Sequence, residues 1–595
     1  VLGAILASLS LPDAVFGPAL ADLLVVQGPE GPGPVDFRSL GVGEFGTIYE
    51  GLLESDLALA ETDLTVDRRT GAWRPCRPGE TPEVRRGETY LHNASGARKA
   101  TGSFFTPSFA VEHLLDHALE PALRDHLARL DALDDEGAGE RFFDFRVADL
   151  AMGSGHFLVA AADRIERALS GYLARRPLPA VAAELADLRA AATAALGPLA
   201  EQVSIEDTQL LRRLVARRCL YGVDVNPVAV LLARLSLWIH TFVPGLPLSL
   251  LDHGLVCGNA LTGIGRLEEV RQAIEASSLP VFAVDAALLL GEAADPLRRL
   301  GRIADATPSD LARARRARRE ALAAVAPAAA LCDVVAAARI QGQGLPKGLD
   351  TWQEVRDGLP GSAAHREVLE VLRDLDPLHF PVAFPEVFLR DRPGFDVILG
   401  NPPWEEATVE EDAFLARHDP GLRSLPQREQ EARKAALRRD RPDLVAAFRR
   451  EQARAESLRR ALVAGPYPGM GTGDPDLYKA FCWRFWELAC EDGGRIGVVL
   501  PRSALAAKGS ADFRRRVFRE AEAVDVTMLL NNRQWLFEEV HPQYTIGLVG
   551  IQRRRARDGL REAPVPVRLR GPYRSLDRFR DGAARDPASF AGRDV

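Results

Sequence analysis

One stretch constrains the fold of this chain more than any other: Asp396 to Trp404, reading D-V-I-L-G-N-P-P-W. Val397, Ile398 and Leu399 form a short apolar run that reads as a buried strand, and Gly400 lets the backbone leave the sheet without a Cβ clash. Pro402 and Pro403 then fix φ and remove two N–H donors. The segment after the strand is therefore stiff and rich in acceptors, with the Asn401 carboxamide at its head and the flat face of Trp404 at its end. The bland alternative is an Asn-Pro turn beside a core tryptophan.

The sharper reading is a holder for a planar group with an exocyclic amine. An aromatic amine is a poor nucleophile because its lone pair is delocalised into the ring. Acceptors at both N–H bonds, the Asn401 side-chain oxygen and the Pro402 carbonyl, would favour a tetrahedral nitrogen and build charge where a new bond forms. Trp404 would stack on the ring, a contact of about 1–3 kcal/mol per base.

Other strand ends carry chemistry too. Phe145 to Ala161 reads as a strand, an acid at its end (Asp149), Leu150-Ala151-Met152, a G-S-G turn, and a helix. Gly153 and Gly155 would let the backbone approach a ligand at the switch point of an α/β sheet, and Asp149 is placed to meet a cation such as an ammonium. The pattern is not G-x-G-x-x-G, and the lysine of a phosphate-binding loop is absent. Arg218 to Asp224 is a second strand ending in an acid. Asp224, followed by Val225, is the candidate for vicinal ribose hydroxyls, with a helix N-cap as the alternative. A third strand-like stretch ends at Cys257-Gly258-Asn259-Ala260, where Asn259 would read an adenine edge. Upstream, Thr106 and Pro107 in T-G-S-F-F-T-P read as N-cap and first-turn proline, a helix entrance that would face a carboxylate.

Between about 266 and 375 the chain turns rich in Ala, Leu and Arg. Thr307-Pro308-Ser309-Asp310 starts a helix, and R-A-R-R-A-R-R follows at Arg313 to Arg319. A second basic helical insertion spans about 405–473. Asp474 and Pro475 read as N-cap and first residue of a further helix, Gly494 to Pro501 returns to the sheet, and the stretches around Val524 and Tyr544 to Ile551 read as a hairpin at a sheet edge. Tyr544 is expected to face Trp404 across the pocket.

Composition narrows the partners. The net charge of −8 and pI near 5.9 argue against nucleic acid wrapped over the whole surface, so such contact must come from local basic faces. The second insertion is the better of the two candidates. Six cysteines without C-x-x-C spacing speak against zinc or a disulfide framework, and a cytoplasmic protein is expected. The apolar opening, Val1 to Ser10, is too short to span a bilayer and runs into Pro12, so no membrane partner is expected.

The order of these motifs resembles DNA adenine-N6 methyltransferases of the large kind found in restriction-modification enzymes and in the BREX and DISARM phage-defence systems. F-F-T-P, D-L-A-M-G-S-G-H-F-L, Y-G-V-D-V-N-P, G-N-A-L, G-N-P-P-W, D-L-Y-K-A-F and the final hairpin carry the likeness, from about Gly41 to Ile551. It implies an α/β, Rossmann-like fold with a mixed, mostly parallel sheet, a helical N-terminal region and helical insertions. It implies S-adenosylmethionine as cofactor, with Thr106, Pro107, Asp149, Ala151, Gly153 and Gly155 at the methionine end, Asp224 and Val225 at the ribose, and Asn259 and Ala260 at the adenine. Asn401, Pro402, Pro403 and Trp404 would be catalytic, with Trp404 and Tyr544 holding the base; no metal is expected. Asn259 stands where many relatives have Asp.

The expected layout is a mainly helical region at 1–100, the cofactor-binding half at 101–265, a helical insertion at 266–375, the catalytic strand and loop at 376–404, the basic insertion at 405–473, the second half of the sheet at 474–555, and the start of a C-terminal region at 556–595 that is too short for a target-recognition domain. The implied activity is methylation of a flipped adenine in double-stranded DNA, for self-marking alongside other restriction or defence subunits. The competing expectations are a cofactor-binding, DNA-contacting defence subunit with little activity alone, and an RNA or protein-amide methyltransferase, because N-P-P with an aromatic also holds such amines.

Overall fold

The computed structural model describes residues 12–28, 31–34, 55–60, 62–66, 73–77, 79–93, 106–247, 251–276, 290–291, 303, 307–343, 345, 354–419, 422, 425–537, 543–555, 564–583, 585 and 587–592. The chain divides into two units, Val1–Leu52 and Leu53–Val595. In the first, a helix (Asp13–Leu24) runs into a two-stranded ribbon, Val25–Gly28 against Gly31–Pro34. The second holds everything below.

Nine strands make one sheet. In chain order they are β1 (Val147–Asp149), β2 (Leu220–Asp224), β3 (Leu255–Cys257), β4 (Val397–Gly400), β5 (Arg495–Pro501), β6 (Ala521–Leu530), β7 (Thr545–Arg553), β8 (Pro566–Tyr573) and β9 (Ala588–Ala591). Their spatial order is 9-8-6-7-5-4-1-2-3. The strands from β5 to β3 pair in parallel, β7 runs antiparallel between β5 and β6, and β9 is antiparallel to β8. The sheet is thus mixed and mostly parallel. The chain order reverses between β1 and β4, the place where open α/β sheets bind ligands outside their carboxyl ends.

Alternate residues of the central strands face opposite helical layers. Ile398, Ile496 and Val498 lie in a core with Tyr478, Phe481 and Phe485 of the helix Leu477–Leu488. Leu399 and Gly497 face the other way, toward Leu114 and Ala118. Beneath the start of β4, Asp396 is buried and accepts from the Arg146 amide (2.9 Å), Arg390 (2.8 Å) and Arg392 (2.7 Å).

Four expectations need correcting. The region 1–100 is not mainly helical in its described residues: it holds one helix and six short strands, among them Thr89–Asn93, which opens Thr-Tyr just after the left-handed Gly87. The helix-like stretch Gly41 to Glu54 lies outside the described residues. The hairpin β6–β7 is not an edge, because the tail adds β8 parallel to β6 and then β9. Residues 566–591 therefore extend the sheet rather than begin a separate region. The helix expected from Asp474 and Pro475 starts two residues later, with Asp476 as its N-cap residue. By contrast Thr307 caps the helix Pro308–Gln341 as read, in a reciprocal box with Asp310. That helix is long and apolar enough to cross a bilayer, yet Val325, Leu331, Val334 and Val335 pack in a core with Ile264, Val270 and Leu359.

The basic insertion changes most. Along the sequence it carries a local excess of arginine, but the helices Gln427–Asp440 and Pro442–Ala464 turn many of those side chains onto acids. Arg433 pairs with Asp419 (2.8 Å), Lys434 with Asp412 (2.7 Å), Arg438 with Glu411 (2.5 Å), Arg439 with Asp440 (2.8 Å) and Arg454 with Asp376 (3.5 Å). Summing charge along the chain misses acids supplied by neighbouring elements.

Candidate active site at the carboxyl ends of the central strands

Strands β1 and β4 pair in register, with Asp149 opposite Leu399. Gly400 follows at φ +151°, and a Cβ there would stand 2.8 Å from Asp149 Oδ1. Glycine is thus needed where the N-P-P-W turn passes the acid. Asp149 is 1% exposed and accepts from the Ala151 amide at 3.1 Å. Burial first, with Asp224 nearby adding to it, pushes its carboxyl up to about 7.

Behind Asp149 the chain turns through Gly153 (φ +51°) and Gly155 (φ +85°) into the helix His156–Arg175. No atom lies within 4 Å of where a Gly153 Cβ would sit, so the turn is open on that side. The Gly153 amide donates to Asp224 Oδ2 (2.9 Å), tying the turn to the end of β2. Asp224 Oδ1 accepts from the Asn226 amide (2.8 Å), and burial raises the carboxyl's pKa. Asp224 is not the helix cap: Asn226 takes that role, accepting from the Val228 amide at 3.0 Å. Val225 is exposed beside it. At the end of β3, Asn259 Oδ1 accepts from the Leu261 amide (3.0 Å), and Ala260 is buried. Sequence reasoning placed all of these on adjoining strand ends, and the sheet order puts β1, β2 and β3 side by side.

Thr106 departs from expectation in a useful way. The helix begins at Ser108 with Pro107 as its N-cap residue, so the hydroxyl is one position too early to cap it. It meets Asn401 instead, whose Nδ2 donates to Thr106 Oγ1 at 3.3 Å. The helix is held against β6 through His113, with Nε2 3.0 Å from Thr527 Oγ1. Burial, then the neighbouring His117 and Arg570, lowers that imidazole to about 3 and keeps it neutral.

With its amide nitrogen donating to Thr106, Asn401 leaves Oδ1 buried without a hydrogen-bond partner among the described residues, and Trp404 Nε1 is in the same state. Unmet buried polar groups, an acceptor on Asn401 and a donor on Trp404, are costly unless a ligand satisfies them. Pro402 is buried and Pro403 half-buried, and past Trp404 the loop is clamped to the start of the helix Leu477–Leu488 by Leu477 N donating to the Glu405 carbonyl (2.8 Å).

The indole faces Tyr544. Their ring centroids are 6.2 Å apart and their planes differ by 10°. The topology explains the meeting: β7 is antiparallel, so its start lies where β4 and β5 end, and Tyr544 immediately precedes it. Tyr544 is 46% exposed, so the slot opens to solvent on its side. Phe537 stands edge-on to Trp404, at 5.9 Å and 90°. Neither Phe537 nor the buried Asn531 that holds it was singled out from the sequence, where an Asn after a strand carries no distinguishing signal.

Residues 218–448 match the family described as Eco57I restriction-modification methylase. The matched segment includes Asp224, Asn259 and the whole Asn401–Trp404 turn, and the coarse family agrees with the motif order. No curated protein matches significantly. Among solved structures, the DrdV–DNA complex is 11% identical over 82% of this chain and 29% of that one, with a TM-score of 0.33. The ATP-dependent Type ISP restriction-modification enzyme LlaBIII bound to DNA is 11% identical over 82% and 22%, at 0.33. A nuclease-deletion mutant of the Type ISP enzyme LlaGI, in complex with a DNA substrate mimic, is 11% identical over 82% and 26%, at 0.34. The chain spans less than a third of the length of each of these.

Proposed function

We propose that this chain is a DNA methyltransferase that uses S-adenosylmethionine to modify the N6 amine of an adenine turned out of duplex DNA. The observation that carries the reading is the pairing of two unmet needs at the carboxyl end of β4. Asn401 presents a buried acceptor without a partner, and Trp404 with Tyr544 presents two near-parallel rings beside it. Two stacking intervals of about 3.4 Å each would fill a gap slightly wider than the 6.2 Å between the centroids, so a base enters after a small separation of the rings. The restriction-modification methylase match supports the class.

The residues present fit the cofactor. Asp149 is a buried carboxylate with one backbone donor and no cationic side chain paired with it among the described residues, suited to an ammonium, and the open side of Gly153 admits a ligand next to it. Asp224 accepts from two backbone amides and retains lone pairs for a diol, while Asn259 and Val225 flank that position. The chemistry supplied by S-adenosylmethionine when bound is an electrophilic methyl group.

The chain's own contribution is positioning and electrostatics. Thr106 orients Asn401 so that Oδ1 accepts one N–H of the amine, and the Pro402 carbonyl accepts the other. Trp404 and Tyr544 hold the ring and exclude water from its faces. Unstacking the base costs a few kcal/mol, which the two aromatic faces offset. Self-marking in a restriction or phage-defence setting, in the cytoplasm and with further subunits, completes the reading. The test is to sequence DNA from cells carrying the intact gene, with modified adenine detected directly and the Asn401→Ala gene as control. Modified adenine at a recurrent sequence, lost in the control, is expected; unmodified DNA with the intact gene refutes the proposal.

A further inference from the structure

We infer that Asn531 is the positioning residue of the base slot, setting both the wall opposite Trp404 and the wall at its edge. The inference rests on the base-capture reading above.

Asn531 follows directly on β6 and is fully buried. Its backbone amide donates to the Tyr544 carbonyl (2.9 Å), which fixes the residue whose ring lies parallel to Trp404. Its side chain works in the other direction. Oδ1 accepts from the Leu536 and Phe537 amides (3.1 Å each), and Nδ2 donates to the Phe537 carbonyl (2.8 Å). One carboxamide therefore satisfies both backbone groups of Phe537, the residue standing edge-on to the indole.

The chain between is held in a conformation it would not choose. Arg533 and Gln534 both have positive φ, 61° and 59°, which non-glycine residues adopt only when their surroundings impose it. Trp535 adds an anchor by donating from Nε1 to the Leu530 carbonyl (2.7 Å) and stacking on Phe109 at 5.6 Å. Phe109 lies three residues past Thr106, so the turn touches the helix that Thr106, the Asn401 partner, leads into. No other carboxamide among the described residues makes three hydrogen bonds of this kind to one loop. A side chain with no structural duty beyond the turn would not need to reach Phe537 from both sides.

The experiment uses the full chain and the variants Asn531→Ala, Asn531→Asp and Phe537→Leu. Asn531→Asp keeps both acceptor bonds but turns an oxygen onto the Phe537 carbonyl, while Phe537→Leu leaves the carboxamide in place and so guards against a fold lost in Asn531→Ala. Trp404 emission is isolated by subtracting the spectrum of Trp404→Phe, which is needed because the chain has seven tryptophans. In Asn531→Ala the Trp404 emission is expected to shift to the red and quench more readily with acrylamide. Tritium transfer from labelled cofactor to unmodified bacteriophage DNA is expected to fall by about a hundredfold in kcat/KM, with cofactor affinity unchanged. Asn531→Asp and Phe537→Leu are expected to lose about tenfold. Unchanged Trp404 emission overturns the inference, as does a loss of transfer that tracks weaker cofactor binding. Should the wild-type chain transfer no methyl group, the functional reading fails, and the emission measurement still decides whether Asn531 sets the slot.

Discussion

Two buried carboxylates sit on neighbouring strands of the same sheet, and they are built for opposite ends. Asp396, at the entrance of β4, accepts from Arg390, Arg392 and the Arg146 amide, and those arginines hold its pKa well below the usual carboxylate range against the cost of burial. Asp149, at the exit of β1, has one backbone amide, and burial pushes it up to about 7. Both are almost completely inaccessible, at 3% and 1% exposure, so burial alone does not separate them. The difference is whether the chain itself supplies the partners. A saturated buried charge locks the sheet together, whereas an undersupplied one waits for a ligand.

The hardest way to break this contrast is at Asp396. Asp396→Ala leaves Arg390 and Arg392 buried without their shared acceptor and is expected to cost about 3–5 kcal/mol of stability, read by denaturant unfolding. Its folded pKa lies below the unfolded value, so its contribution is present above about pH 4 and is lost as pH falls from there through the folded pKa. The gap between wild type and variant should therefore narrow in acid. A variant as stable as wild type at pH 7 would remove the structural half of the comparison.

On the functional side, Asn401→Ala is expected to lower methyl transfer by about 10²–10³-fold with cofactor affinity intact, because it removes an acceptor without filling the cofactor site. Near-normal turnover would mean that the unmet oxygen is incidental.

Asp149 should respond to pH in the reverse sense to Asp396. Its folded pKa is raised, so the ligand-free protein is expected to lose stability as pH rises from about 4 to about 7, by up to about 1.4 kcal/mol per pH unit. Asp149→Asn should flatten that slope in thermal melts between pH 5 and pH 8. It should also abolish the gain in cofactor affinity that a cation would bring as the acid ionises. Equal slopes in both proteins would place the raised carboxyl elsewhere.

How much of this was legible beforehand follows the range of the interactions. β4, β1 and β2 announced themselves because an apolar run, an acid and a glycine turn are local patterns, and Asn401, Asp149 and Asp224 came with them. Tyr544 facing Trp404 was also readable, as two aromatics flanking strand ends. Thr106 was found for the wrong reason: a cap was the local explanation, while its actual partner, Asn401, is far along the chain. Asn531 and Phe537 were illegible because their role depends on where β7 begins relative to β4. The basic insertion misled because the acids that pair its arginines come from other elements.

Trp404→Ala sharpens the comparison from the slot itself. It removes a stacking face worth about 1–3 kcal/mol and is expected to raise KM for DNA by about ten- to a hundredfold, with a smaller change in kcat. Its Nε1 is buried without a partner, so the protein should lose less stability than the truncated area alone would suggest.

The smallest effect is expected in the insertion that the sequence offered as the better of two candidate phosphate-facing elements. Arg438 belongs to the insertion whose charge suggested contact with a phosphate backbone, but its guanidinium forks onto Glu411 at the surface. Exposed pairs of this kind contribute about 0–1 kcal/mol, so Arg438→Gln should leave unfolding nearly unchanged. A residue that contacts phosphate releases a counterion, and its loss lowers the slope of log K against log salt by about 0.9. If Glu411 keeps the guanidinium, anisotropy titrations on duplex DNA at several salt concentrations should give wild-type and variant the same slope. A slope lower by about one would show the arginine leaving its carboxylate when DNA arrives, and would move the insertion from the saturated side of the comparison to the side that awaits a partner.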